Sequence, residues 1–117
     1  MRLNEVSFTD AKPVEGYGTG FFRIGGEVYR GPVLVGPTGI VGWGGYEDAS
    51  SLLALASDVD VIFIGTGSEI AHVPQDLQKA LDAVNIGSEV MASPAACRTY
   101  NVLLSEGRRI ALALIPV

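Results

Sequence analysis

The chain has 117 residues, 48% of them apolar, and thirteen acidic against eight basic side chains leave a net charge of −5. That composition supports one domain with a real core and excludes disorder over most of the length. Basic residues adjoin only at Arg108-Arg109, a poor match to nucleic acid, and no apolar run approaches the roughly 18 residues of a membrane helix.

The opening MRLNEVSFTDAKP carries Glu5 and Asp10 and has no apolar segment. It reads as neither a secretory signal nor a transit peptide. Cys97 is the single cysteine, so no intrachain disulfide can form, and a reducing cytoplasm is the expected location.

Residues 1–45 read as β structure. Val6 and Phe8 alternate in a short first strand. Gly16, Gly18 and Gly20 mark a loop or a bulged strand. FFRI (21–24) and EVYR (27–30) flank Gly25-Gly26, the spacing of a primed two-residue hairpin. PVLV (32–35) and GIVGW (39–43) flank a second turn, Gly36-Pro37-Thr38.

The pattern changes near Tyr46. Asp48 suits the cap of a helix running to about Ser57, with Leu52, Leu55 and Ala56 on one face. VDVIFIG (59–65) is apolar almost throughout, as a strand covered on both faces is. Pro74 opens the next helix, with Leu77, Ala80, Leu81 and Val84 in one stripe. SEVMA (88–92) is a strand, and Ser93-Pro94 read as N-cap and first residue of a third helix. Ala96, Tyr100, Leu103 and Leu104 form its inner face, and Gly107 ends it. RRIALALI (108–115) is the final strand.

Residues 46–117 therefore alternate helix and strand, which predicts a largely parallel core sheet. The hairpins of 1–45 either extend that sheet or form a second layer. The reading is α/β: one domain over 1–117, three layers, flanking helices and an N-terminal hairpin layer.

The turn after the buried strand, Gly65-Thr66-Gly67-Ser68, has the look of a nucleotide loop. A dinucleotide fingerprint requires a third glycine where Ile70 stands, and Pro74 delays the helix. A Walker loop requires a lysine that is missing between Phe63 and Lys79. A weaker ligand reading survives. Ligands sit beyond the carboxyl ends of parallel strands. If the two strands adjoin, Gly65, Thr66, Gly67 and Ser68 share a crevice with Ser93, Ala95, Ala96 and Arg98. Hydroxyls, helix amides and the guanidinium would then hold a small anion or carboxylate. The alternative is that these glycines only let the chain turn closely.

Other chemistry is sparse. Cys97 and His72 are one thiol and one imidazole without a third group, and the plainer reading is a buried thiol and a loop histidine. No His/Cys spacing supplies a metal site. Asp58 and Asp60 offer a general acid/base pair or, more plainly, solvated turn acids, and they sit at the far end of the strand from the crevice; Glu69, nearer to it, is the one acid candidate. Tyr17, Trp43 and Tyr46 lie in glycine-rich chain and read as a partner surface, or Trp43 anchors the seam between hairpins and helices.

The segments GYGTGFFRIGGEVYRGPVLVGPTGIVGW, VIFIGTGS and SPAACRTYNVLLSEGRRIALAL resemble a widespread family of small domains of unknown function. An archaeal prototype gives its Mth-type fold a name. The third assembly factor of mitochondrial respiratory complex I and the adipogenesis-associated Mth-domain protein belong to it. The likeness runs from about Glu5 to Pro116. It implies a three-layer α/β fold with a mixed central sheet and an extra β layer. It implies no established reaction and no cofactor. Matching positions are Gly65, Thr66, Gly67, Ala95, Ala96, Thr99, Tyr100, Asn101 and Arg108. A bacterial cytoplasmic member is the expectation, working as a binding or assembly module. Its partners would be proteins, respiratory-complex subunits among them, and a homodimer is a further option. The alternative is a binder of a small anion or metabolite, or a modest enzyme, at the crevice.

Overall fold

Gly25 and Gly26 both hold positive φ, 60° and 85°, so the chain reverses in the mirror-image turn their spacing predicts. The computed structural model describes residues 11–117, so the alternation of Val6 and Phe8 lies outside the described residues. Strands β1 (Val14–Gly18), β2 (Phe21–Ile24) and β3 (Glu27–Arg30) make a three-stranded antiparallel sheet. Gly16 and Gly18 thus lie in a strand bulged between Val14 and Gly16, and Gly20 lies in the turn after it, at φ 79°.

The second hairpin behaves differently. β4 (Val33–Gly36) and β5 (Gly39–Gly42) join the main sheet. One hairpin therefore builds the extra layer and the other widens the core sheet.

A 3-10 turn (Gly45–Glu47) leads to α1 (Ala49–Leu53). Asp48 caps it, accepting from the amide of Ser51 at 3.2 Å and its hydroxyl at 2.7 Å. α1 is shorter than the pattern predicts. Leu55 and Ala56 donate to carbonyls three residues back, so the chain continues in tightened turns that still bury Leu52, Leu55 and Val59.

Strand β6 (Val61–Thr66), helix α2 (Gln75–Ala83), strand β7 (Gly87–Met91), helix α3 (Ser93–Ser105) and strand β8 (Ile110–Ile115) complete the fold. The main sheet runs β5-β4-β8-β6-β7. β7, β6 and β8 are parallel, while β8, β4 and β5 are antiparallel, so the sheet is mixed. From β6 to β7 the chain steps outward, and from β7 to β8 it steps back past β6. Right-handed crossovers then place the two helices on opposite faces. Leu77 and Leu81 of α2 pack with Ile62, Ile64 and Leu52. Ala96, Cys97 and Tyr100 of α3 pack with Phe63, Leu112 and the small sheet's Phe22 and Ile24. The apolar run in β6 is explained: its side chains alternate between two cores.

Both long helices stop the same way. Asn85, at φ 62°, and Gly107, at φ 77°, take the left-handed conformation just past α2 and α3. After α2, Asn85 donates to Asp82 and Ile86 to Leu81, both at 3.0 Å. After α3, Gly107 donates to Leu104 and Arg108 to Leu103. These are paired Schellman bonds.

Candidate functional site

β6 and β7 are parallel neighbours, with Gly65 opposite Met91. Their exits, Thr66–Ser68 and Ala92–Pro94, consequently share one rim. The chain leaves β6 for one face and β7 for the other, and that reversal is where open α/β sheets hold ligands.

Hydrogen bonds close this crevice. Gly67 N–H donates to Ser93 Oγ at 2.9 Å, and Ser93 N–H donates to Gly67 O at 2.7 Å. Ser93 Oγ in turn donates to Ile115 O at 2.6 Å. Helix α3 begins one residue earlier than the sequence suggests, with Ala92 as N-cap and Ser93 inside. The Ser93 side chain is 0% exposed and is no cap: it ties the ends of three elements together. Thr66 Oγ1 donates to Glu69 O at 2.7 Å and accepts from Ala71 N–H at 3.0 Å. The Thr66 and Ser93 hydroxyls are thus committed within the fold. Ala96 N–H is likewise bonded to Ala92 O at 2.9 Å.

What faces solvent is the loop crest. Ser68, Glu69, Ile70, Ala71 and His72 are exposed, and Ile70 is 67% exposed. Ala95 is half-buried and Arg98 exposed. Arg98 lines an open groove of about 280 Å³ along α3 with Thr99, Val102 and Leu103. None of residues 65–68 lines it.

The three aromatic candidates do not form one surface. Trp43 is 4% exposed, donates from Nε1 to Asp48 O at 3.1 Å, and meets Tyr46 edge-on at 5.9 Å. It anchors the seam between β5 and α1, in the core shared with α2. Tyr17 is exposed on the small sheet, which packs on the other face.

Cys97 and His72 are not a pair: the histidine is exposed in the loop, and the thiol is buried under α3. Burial pushes that thiol up to about 12 against the pull of Arg98. Asp60 meets Arg109 at 3.5 Å, at the opposite end of β6 from the rim. Among the described residues no group of three or more His, Cys, Asp or Glu side chains is placed to hold a metal. Nor is any helix among the described residues long and apolar enough to cross a membrane.

Sequence reasoning placed Tyr100 on the inner face of α3, where it is buried, but gave its hydroxyl and Asn101 no role. Tyr100 Oη donates to Lys12 O at 3.0 Å. Asn101 accepts from Val14 N–H through Oδ1 and donates to Val14 O through Nδ2, both at 2.9 Å. The amide copies the bonding of a neighbouring strand and holds β1 onto α3. The only signal for it was the Thr-Tyr-Asn run in the family likeness.

Residues 14–115 match the model of a protein family of unknown function, DUF498/DUF598. An uncharacterised protein of Rhodobacter capsulatus is 46% identical over all of this chain and 94% of its own length. NADH dehydrogenase [ubiquinone] 1 alpha subcomplex assembly factor 3 of Xenopus tropicalis is 33% identical over 88% of this chain. That match spans 60% of the frog protein. A Bartonella henselae crystal structure, described as an outer membrane protein, superposes with TM-score 0.84 at 36% identity. It covers 93% of this chain and 98% of its own. The solution structure of a Mth938-like domain from Bordetella pertussis gives TM-score 0.75 at 26% identity, covering 99% and 92%.

Proposed function

The chain belongs to the DUF498/DUF598 family, the Mth938-like domains that include complex I assembly factor 3, and we propose that it is a protein-binding module of assembly type. The observation that carries this reading is the state of the rim. Ser93 Oγ and Thr66 Oγ1 are spent on backbone partners, while the loop they brace displays Ile70. A loop braced in this way, with an exposed apolar tip, loses less conformational entropy on docking than an unbraced one, as suits an interface anchor. Tyr17 adds a second exposed contact on the small sheet. The partners would be subunits of a respiratory complex, by analogy with assembly factor 3, and the setting a bacterial cytoplasm.

The test mixes the purified chain with individually purified NADH dehydrogenase subunits and follows complex formation by sedimentation velocity. Binding to one subunit, lost in Ile70→Asp with folding intact, supports the reading. Absence of binding to every subunit overturns it.

A second reading makes the rim a site for a small anion or metabolite. The adjoining exits of β6 and β7 favour it. Its donors would be Ser68, the Ala95 amide and Arg98, beside the close-packed Gly65, Thr66, Gly67, Ser93 and Ala96. Phosphate and acetate titrations followed by amide shifts test it. Saturable shifts at residues 66–68 and 93–98, weakened by Arg98→Ala, would favour this reading.

A further inference from the structure

Among the described residues four strands lie at sheet edges: β1 and β3 in the small sheet, β5 and β7 in the main one. An open edge is a template for another strand, and proteins guard such edges with charge. β1 carries Glu15, β3 carries Glu27 and Arg30, and β7 carries Glu89. β5 carries none. From Gly36 to Tyr46 there is no Asp, Glu, Lys, Arg or His.

The register shows which groups the edge offers. Trp43 N–H donates to Pro32 O at 3.1 Å, so residues 43 and 32 are a bonded pair. Opposed antiparallel pairs alternate between bonded and unbonded. Val33 opposite Gly42 is therefore unbonded, Leu34 opposite Val41 bonded, and Val35 opposite Ile40 unbonded. Ile40 and Gly42 thus aim N–H and C=O away from β4, and no other described residue pairs with them. Val41 lies between them with its side chain 54% exposed.

This pattern is self-complementary. We propose that β5 pairs antiparallel with β5 of a second copy, about a two-fold axis at Val41, fusing two five-stranded sheets into one. Ile40 exchanges backbone bonds with the partner's Gly42, and Gly42 with the partner's Ile40. Val41 packs against the partner's Val41 in the close, unbonded position. Two chains of charge −5 repel, and this stretch sets no like charges opposite each other. A four-residue seam buries less than the roughly 1,200 Å² of a stable complex, so the dimer is weak and forms toward high concentration.

Sedimentation velocity on the whole chain from about 10 µM to about 1 mM tests this. Wild type should shift from monomer to dimer across that range. Val41→Lys puts like charges face to face. Gly42→Pro removes one outward donor, at a position where a Cβ meets nothing within 4 Å. Both variants should stay monomeric with unchanged circular dichroism, while Val28→Lys on the β3 edge should dimerise like wild type. Amide shifts with concentration should centre on Ile40 and Gly42. A wild type that is monomeric at about 1 mM, or a dimer that survives either β5 substitution, overturns the proposal.

Discussion

A Cβ on Gly65 would stand 2.6 Å from Ser93 Oγ and 2.8 Å from Ser93 Cα. The glycine lets α3 begin directly over the end of β6, and the serine fills the space the missing methyl leaves. Gly65→Ala must push back a helix backbone and Leu114, whose side chain lies 2.7 Å from the same point. It should cost about 1–3 kcal/mol, read as a lower urea midpoint with an unchanged slope.

Ser93→Ala tests the other half of that contact. It leaves Gly67 N–H and Ile115 C=O without the partner they share. Orphaned buried groups of this kind cost about 1–3 kcal/mol each. Chemical denaturation should show the loss, and hydrogen exchange should speed up at Gly67.

Asn101 allows a sharper comparison. Asn101→Leu removes both bonds to Val14, at roughly 1 kcal/mol each. Asn101→Asp keeps the shape but turns a carboxylate oxygen toward the Val14 carbonyl, where Nδ2 donates at 2.9 Å. The aspartate variant should be the less stable of the two. In both, exchange at β1 amides should quicken before exchange in β6 and β8.

The two helix ends should tolerate glycine and reject a strained Cβ. Gly107→Ala forces a Cβ into φ 77° and should cost about 1 kcal/mol. Asn85→Gly meets φ 62° without strain and should stay within about 0.5 kcal/mol of wild type, whereas Asn85→Val should lose about 1–2 kcal/mol. Thermal melts of the three variants check the set.

Burial raises the Cys97 thiol from its ordinary 9.0 to about 12. The unfolded chain therefore releases this proton before the folded one does. The resulting stability is complete below pH 9.0 and is lost as pH climbs toward 12. Burial raises Tyr100 as well, above its ordinary 10.0, and adds to the same alkaline loss. Cys97→Ala should flatten part of the decline in denaturation midpoints, and native Cys97 should resist thiol reagents until the chain unfolds.

Much of this architecture was legible because it rests on local rules. Periodicity located β6, α2, α3 and β8, and Gly25-Gly26 located a turn. What stayed hidden depends on partners far along the chain. Ser93 reads as a cap because Ser-Pro opens helices, yet its hydroxyl goes to Ile115, a partner no local rule supplies. Trp43 has two readings until Asp48 and Tyr46 are seen to enclose it. The Asn101 link to Val14 spans 87 positions, and no spacing rule reaches that far.

β8 lies between β4 and β6, yet it is made after both. Until residues 110–115 leave the ribosome, the β4-β5 hairpin and the β6-β7 pair are two fragments, each with a bare inner margin. A nascent chain in that state is exposed to chaperones, proteases and stray strands. One short segment, arriving after both fragments, converts them into a continuous sheet, so a polypeptide cut before Ile110 should go to degradation rather than to a smaller fold.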